Sequence, residues 1–429
     1  SSRALLCSLT GAIMADASLS AAPWYHGLLP REDIKTFLRE NGDFLVRMSE
    51  PKDKGKREFV LSLMFERDRD LMKHFVINKT ITGKYSIEKE VFDNVVDLVK
   101  YYHESKTSIT SKNHQVIIKR PVTRRSWQLD HADIECTKKL GEGAFGEVHK
   151  GTIRLKKTGK TVDCAIKQAK LDNMTKDQIK DFMREARLMR DFNHPNIIRS
   201  YGVAATQEPL MLVLELANQG ALDSYLKKNN CTIDTKMEMC LQAAWGIEYL
   251  HERNCLHRDI ASRNCLYGDG KVKVSDFGLS RIGSMYQMNP KCRVPIRWLS
   301  PETLRQALYT QKSDVWSYGI MCWEILNNGI DPYPGMTVPE VHVKVKEGYR
   351  MPIDTHGVTK EFVDLIMIRC WSDSPNERFM MADISKCMER ITKISRPDFS
   401  KDNSRDISKE TSRGNGVRRS RKMSVISNR

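Results

Sequence analysis

The sequence has no apolar run approaching the roughly 20 residues that a membrane-spanning helix needs. Its opening stretch, SSRALLCSLTGAIMADA, is broken by polar residues, so neither a transmembrane anchor nor a secretory leader is expected. The 11 cysteines are odd in number and include no C-x-x-C pair and none with a histidine at zinc spacing, which argues against a disulfide framework and a structural metal site. A reducing compartment, the cytoplasm, is the expected location. No internal repeat or low-complexity tract interrupts the central part of the chain. Acidic residues are in deficit, with 54 Asp and Glu against 70 Lys and Arg and a formal charge of +16. That excess permits nucleic-acid binding but equally suits ligands that are phosphates or acidic peptides, and no specific nucleic-acid partner is expected.

What is present is ordinary globular composition, 40% hydrophobic and 29% charged over 429 residues, enough for two or three domains with their own cores. Two blocks are legible, 24–121 and 134–392, joined by a short linker, 122–133, that contains Trp127. Such a linker leaves little freedom for independent tumbling, so the blocks are expected to touch. Residues 1–23, which begin at Ser1, are expected to be disordered. The Ser-rich, basic tail, 393–429, has almost no large apolar side chains to offset chain entropy and is expected to be disordered as well. Its RRSRKMS run suits a nuclear-localisation or phosphorylation segment and leaves room for a nuclear or peripheral membrane pool.

In the first block a helical pattern, REDIKTFLRENG, puts Ile34, Phe37 and Leu38 on one face and is followed by the apolar strand FLVRMSE. Alternation sets Arg47 on the face opposite Phe44 and Val46. A buried guanidinium needs an anion, its planar fork can grip two phosphate oxygens, and phosphotyrosine is long enough to reach it. FLVR alone is a weak signal, because an arginine on a strand is more often a surface or edge residue. With Trp24-Tyr25-His26-Gly27 opening the block, Arg31 on the first helix and Lys73-His74-Phe75 on a later strand, the block resembles the SH2 family over its whole length. The resemblance implies a central antiparallel sheet flanked by two helices, with Arg47 and Arg31 gripping the phosphate. It also implies support from Ser49 in the following loop and places His74 beside the tyrosine ring. Met48 and Val76 depart from residues that many or some members carry, which bears on affinity or peptide preference.

In the second block Gly141-Glu-Gly143-Ala-Phe-Gly146-Glu-Val148 has a spacing that dinucleotide-binding folds also use. The following EVHKGTIRL alternates like a strand, so the glycines cap a hairpin whose backbone can lie close over phosphates, favouring ATP over NAD. In the strand Val162 to Lys167 a period of two puts Ala165, small enough to admit adenine, on the same face as Lys167. The helix MTKDQIKDFMREARLM turns Phe182, Ala186 and Met189 inward with Glu185 beside them, placed to pair with Lys167. An amphipathic helix ending at His251 precedes His257-Arg258-Asp259, Ala261, Arg263-Asn264, a YGDGKVKV hairpin and Asp276-Phe277-Gly278. Transfer of a γ-phosphoryl group needs an aligned nucleophile and neutralised phosphate charge. Asp259 is the candidate acceptor for the hydroxyl proton, and Asn264 and Asp276 offer oxygen ligands to a hard cation, Mg2+ or alternatively Mn2+.

In this order the parts resemble the protein kinase family over the entire block. The resemblance implies a bilobal fold with Asp259, Arg263, Lys167 and Glu185 in catalysis, and Leu140, Gly141, Gly143, Gly146, Val148, Ala165, Lys167, Glu215 and Ala217 around ATP. It makes Leu214 the gatekeeper and puts Ser200 where members mostly carry an apolar residue in the spine between the lobes. Ala261, the Arg263-Asn264 pair and the Pro295-Ile-Arg-Trp298 platform resemble tyrosine kinases rather than serine/threonine kinases. Glu302 is expected to pair with Arg378 inside the domain, and Asp314 to hold the catalytic loop. Tyr286 stands where the family's autophosphorylated tyrosine does, with Arg258 and Arg281 as partners for its phosphate.

The block order, the linker from Trp127 to His131, the segment HPNIIRSYGV and the short activation loop resemble the Fes/Fer group of non-receptor tyrosine kinases. Only 23 residues stand where that group carries its F-BAR region. The expectation is an α+β multidomain chain, an SH2 fold followed by a bilobal kinase fold, that transfers the γ-phosphoryl group of ATP to tyrosine in protein substrates. It would bind tyrosine-phosphorylated proteins through the SH2 domain, which in that group packs on the small lobe and favours the active state. Two other readings compete: a catalytically silent adaptor, opposed by the intact Lys167, Glu185, Asp259, Asn264 and Asp276, and a serine/threonine kinase, opposed by Ala261, Arg263 and the platform.

Overall fold

The computed structural model describes residues 17–49, 57–110, 115–143, 146–169, 175–289 and 294–397. A short helix, α1 (Ala17–Ala21), opens them, with Leu19 and Ala22 buried. Leu19 and Ala22 therefore join the first block's core and seat this end of the segment expected to be disordered, while residues 1–16 of it lie outside the described residues. A 3-10 helix, Arg31–Thr36, replaces the longer helix expected there and still buries Ile34, with Phe37 and Leu38 packed just beyond its end.

The sheet of the first block runs β5-β4-β3-β2-β1-β6. β1 (Asp43–Ser49), β2 (Glu58–Glu66), β3 (Leu71–Lys79), β4 (Tyr85–Ile87) and β5 (Glu90–Phe92) pair antiparallel in succession. α2 (Val95–Ser105) is started by Asn94, whose side chain accepts from the Asp97 N–H at 2.8 Å. β6 (Arg120–Pro121) joins β1 in parallel. Phe44 and Val46 face one side of β1 and pack with Leu98 and Val99 of α2, while Leu45 faces the other with Ile34 and Phe37. This alternation is what places Arg47 under the second face.

The small lobe of the second block is an antiparallel sheet, β10-β11-β9-β8-β7. Its strands are β7 (Ile134–Gly143), β8 (Gly146–Arg154), β9 (Thr161–Ala169), β10 (Ser200–Ala204) and β11 (Leu210–Glu215), with α3 (Lys176–Arg190) packed on it. A capping box starts α3: Thr175 Oγ1 accepts from the Gln178 N–H and the Gln178 side chain accepts from the Thr175 N–H. The large lobe begins with β12 (Gly220–Ala221), α4 (Leu222–Lys228), α5 (Ile233–Glu252) and β13 (Cys255–Leu256). β14 (Cys265–Gly268), β15 (Lys271–Val274), β16 (Arg281–Ile282) and β17 (Met285–Gln287) follow. The rest is α6 (Pro301–Gln306), β18 (Leu308–Thr310), α7 (Gln311–Leu326), α8 (Val338–Lys346), α9 (Lys360–Asp364) and α10 (Met381–Thr392). α5, the amphipathic helix expected to end at His251, is buried almost all round: Lys236, Met237 and every residue from Met239 to His251 are buried, because α7, α10 and β15 enclose it.

A buried ion pair braces this lobe. Arg378, 1% exposed, donates to both Glu302 carboxylate oxygens at 2.9 and 2.8 Å and to the Lys312 carbonyl at 3.0 Å. Burial pushes the Glu302 carboxyl up, but the Arg378 hydrogen bonds and charge outweigh it and hold it below the usual carboxylate range. Its stabilisation is therefore complete above that range and fades as pH falls through it. Arg378→Ala, which leaves Glu302 buried and alone, is expected to cost about 3–5 kcal/mol, read as a lower midpoint in urea unfolding at pH 7.

The blocks touch, as the linker length predicts. The Leu28 N–H donates to the Ala205 carbonyl at 2.9 Å, and the Val203 N–H and the Val203 carbonyl bond Trp127 and Leu129, so the linker runs along β10. Gly27 has φ +60, and a Cβ there would lie 1.9 Å from the Ala205 oxygen. Arg124 donates to the Ala22 and Tyr25 carbonyls at 2.9 Å and to Asp130 at 3.1 Å, stitching the segment after α1 to the linker. Asp33 pairs with Arg187 of α3, and Arg57 with Glu208. Gly27→Ala is expected to cost about 1–2 kcal/mol from the left-handed backbone alone, with the clash against Ala205 adding to it. Faster proteolysis of the linker than in the parent protein would report the loosened contact.

Candidate active site

The cleft between the lobes collects the residues singled out in the second block. Lys167 on β9 donates to both Glu185 oxygens at 2.9 Å and lies 4.0 Å from Asp276. Burial lowers the Lys167 pKa, but the Glu185 and Asp276 carboxylates outweigh it and raise it above the ordinary lysine value, which keeps the ammonium charged. Phe277 is buried with its ring 5.2 Å from both His257 and Phe192, which fixes Asp276 at the cleft in a left-handed backbone of φ +58. The β7–β8 hairpin brings Gly143 opposite Gly146. Gly146 has φ +151, and a Cβ there would approach the Gln168 carbonyl to 2.3 Å, so glycine is required. Ala144 and Phe145 at its tip lie outside the described residues.

The remaining nucleotide candidates line this cleft unevenly. Val148 lies opposite Lys167, Ala165 opposite Leu214, and Leu140 is exposed on β7 near Gly141. Glu215 spends its carboxylate on Lys273 at 3.0 Å and on the Arg199 N–H at 3.3 Å, so it offers a ligand its backbone rather than its side chain. Ala217 follows on the segment joining the lobes, where its carbonyl accepts from the Gly220 N–H. Ser200 stands opposite Leu214, and among the described residues its buried hydroxyl has no hydrogen-bond partner.

Asp314, fully buried, organises the catalytic loop by accepting from the His257 N–H (2.9 Å), the Arg258 N–H (3.0 Å) and Tyr309 Oη (2.7 Å), with His251 Nε2 at 3.0 Å. Burial raises its pKa, but the His251 hydrogen bond and nearby charges win and hold it low. The loop presents Asp259 half-buried, held by Arg263 at 2.5 Å, and the Asn264 amide donates to the Asp259 carbonyl at 2.8 Å. Asn264 thereby keeps its side-chain carbonyl oxygen for another group. That oxygen and the half-exposed Asp276 carboxylate are hard donors of the kind a divalent ion takes.

Tyr286 lies on β17, paired with Tyr309 of β18, and both predicted arginines face its ring, Arg258 at 3.9 Å and Arg281 at 5.6 Å. Residues 290–293 of the same segment lie outside the described residues, but the Pro295–Trp298 platform is described. Trp298 lies under the Arg263 guanidinium at 4.0 Å.

A second site lies on the SH2-like block. Arg47, 4% exposed, donates through Nε to Ser62 Oγ at 3.4 Å and through Nη1 to the Leu29 carbonyl at 3.5 Å. His74 Nδ1 is 2.9 Å from the same hydroxyl. Burial, then the Arg31 charge, pushes Arg47 down to about 10, and burial with Arg31 and Arg47 takes His74 down to about 4. Among the described residues Arg31 and Arg47 crowd this pocket with no carboxylate paired to them, a charge that a dianionic phosphate would relieve. Ser49 ends β1 instead of lying in the following loop, whose residues 50–56 lie outside the described residues.

The sequence reading missed Ser62, the hydroxyl between Arg47 and His74, although period two from Val60 puts it inward and could have found it. It also missed Glu324 on α7, which the apolar run around it disguises as core.

A lysine–glutamate pair under a glycine hairpin, an aspartate held beside an asparagine, and a second aspartate before a buried phenylalanine define the two-lobed core of a protein kinase, here with an SH2 domain seated on its small lobe. Residues 134–388 match the family described as protein tyrosine and serine/threonine kinase, and residues 24–102 match the SH2 domain. Human tyrosine-protein kinase Fer is 36% identical over 378 residues, covering 87% of this chain and 44% of its own length. Fer-related kinase 1 of Caenorhabditis elegans is 37% identical over 381 residues, 86% of this chain and 95% of its own. The transforming protein Fps of avian sarcoma virus strain PRCII is 33% identical over 361 residues, 83% and 65% respectively. The chain belongs to the protein tyrosine and serine/threonine kinase family, in its SH2-containing Fer/Fes/Fps group. It spans less than half the length of mammalian Fer. Among the described residues no helix is long and apolar enough to cross a membrane.

Proposed function

We propose that this chain is a non-receptor protein tyrosine kinase that transfers the γ-phosphoryl group of ATP to tyrosine hydroxyls in proteins and binds phosphotyrosine through its SH2 domain. The observation that carries this reading is the Asp259–Arg263–Trp298 stack, which puts a carboxylate at the cleft beside the peptide platform. In this reading Asp259 accepts the tyrosine proton, Arg263 fixes its carboxylate, and Lys167, held by Glu185, meets the ATP phosphates. The β7–β8 glycine hairpin covers those phosphates, and Leu140, Val148, Ala165 and the backbone of Glu215 and Ala217 enclose the adenine. Asn264 and Asp276 would hold Mg2+, which would neutralise charge on the phosphate oxygens. Cytoplasmic location, with a peripheral membrane or nuclear pool, fits the basic tail.

Regulation follows two routes in this proposal. Phosphate on Tyr286 would exchange the ring contacts of Arg258 and Arg281 for charge-assisted hydrogen bonds that order the segment. The SH2 domain, through Asp33 and Arg187, steadies the helix that carries Glu185. Turnover of a tyrosine polymer, poly(Glu,Tyr), with magnesium ATP tests the reading. Incorporation that requires Lys167 supports it, and equal incorporation by Lys167→Met defeats it.

A further inference from the structure

Glu324 is 3% exposed near the end of α7 and takes no part in the chemistry above. Its carboxylate accepts three hydrogen bonds: from the Ser262 N–H at 3.1 Å, from Ser262 Oγ at 2.8 Å and from Trp298 Nε1 at 3.0 Å. Ser262 precedes Arg263 on the catalytic loop, and Trp298 belongs to the peptide platform. One buried group therefore ties together two segments that are far apart in sequence and that must agree in position for a peptide hydroxyl to reach Asp259. Arg263 closes the circuit, lying on the Trp298 ring at 4.0 Å and pairing with Asp259 at 2.5 Å.

We infer that Glu324 is a positioning residue for the protein substrate, keying the Trp298 platform to the catalytic loop so that Arg263 and Asp259 stand at a fixed depth beneath the bound peptide. Among the described residues its hydrogen bonds run to Ser262 and Trp298 and to none of the nucleotide candidates, so its loss should be felt by the peptide and not by ATP. The hydrogen-bond pattern also says what can replace it. The two N–H donors converge on Oε2, while Oε1 meets only a hydroxyl, which can accept as well as donate. Glutamine can therefore keep all three contacts, with its carbonyl at the Oε2 position and its amide donating to Ser262 Oγ. Burial, pushing the Glu324 carboxyl up to about 7, agrees with a pocket that tolerates a neutral group.

The inference rests on the kinase reading, so the test separates the two by measuring peptide affinity and turnover in parallel. The whole chain, Glu324→Ala and Glu324→Gln are titrated with a fluorescent tyrosine peptide in the presence of magnesium and a non-hydrolysable ATP analogue. Glu324→Ala is expected to weaken peptide binding at least tenfold with nucleotide affinity unchanged, and Glu324→Gln to stay within twofold of the parent. Peptide affinity unchanged in Glu324→Ala, or a Glu324→Gln protein as impaired as Glu324→Ala, overturns the inference. If Glu324→Ala does not fold, Trp298→Phe keeps a ring under Arg263 but removes the Nε1 donor. It should weaken the peptide in the same direction, and an unchanged affinity overturns the inference equally. A parent protein that binds the peptide yet transfers no phosphoryl group would sink the proposed function while leaving this affinity comparison decisive.

Discussion

Asp259→Asn is expected to lower kcat towards a tyrosine peptide by roughly 10²- to 10⁴-fold, about 3–5 kcal/mol of barrier. Asparagine keeps the shape of the side chain and can still accept from Arg263, which donates to Asp259 at 2.5 Å in the parent. What it cannot do is take up the phenolic proton as the new oxygen–phosphorus bond forms. The Asn264 contact runs to the Asp259 backbone carbonyl and so survives the change. Nucleotide affinity and the unfolding temperature should accordingly match the parent. A single-turnover measurement beside a nucleotide titration separates these quantities. A kcat within threefold of the parent would remove Asp259 from the proton's path.

Arg47→Ala is expected to weaken a phosphotyrosine peptide by roughly 100-fold or more, since a buried charge-assisted contact to one partner is worth about 2–5 kcal/mol. The unliganded protein should be no less stable for the change. Arg47 is crowded by Arg31 and, among the described residues, held by two long hydrogen bonds, at 3.4 and 3.5 Å, so removing it relieves unfavourable charge burial. Calorimetric titration with a phosphorylated peptide and its unphosphorylated twin reads the loss. The same variant tests coupling. Because the domain rests on α3 through Asp33 and Arg187, phosphopeptide-dependent turnover should fall together with binding. Unchanged turnover in Arg47→Ala would separate the two functions.

Much of this was legible in the residues because each chemical task here needs a particular side chain on a regular element. Period two on β9 puts Lys167 and Ala165 together, and the 3.6 period of α3 brings Glu185 to meet them, so local rules suffice. The same alternation gave Arg47 its inward face. What escaped are features decided by tertiary enclosure. α5 carries polar residues at intervals that look like a solvent face, yet Gln242, Glu248 and His251 are buried and find partners on other elements: the Val272 N–H, Arg396 and Asp314. α1 lies within residues expected to be disordered, and its five residues carry one large apolar side chain, Leu19, whose place only the first block's core reveals. Gly27 reads as a domain's opening turn, whereas its lack of a Cβ also admits the Ala205 carbonyl of the other domain. Glu324 was hidden for a related reason. Its partners, Ser262 and Trp298, lie far away in sequence, and no periodicity links them.

The central claim is transfer to tyrosine, and the most direct measurement is phosphoamino-acid analysis of a protein substrate labelled from γ-phosphate-labelled ATP with magnesium by the purified chain. The account predicts label in phosphotyrosine alone, absent when Asp259→Asn replaces the parent. Label in phosphoserine or phosphothreonine, or none from a folded chain that binds ATP, would contradict it.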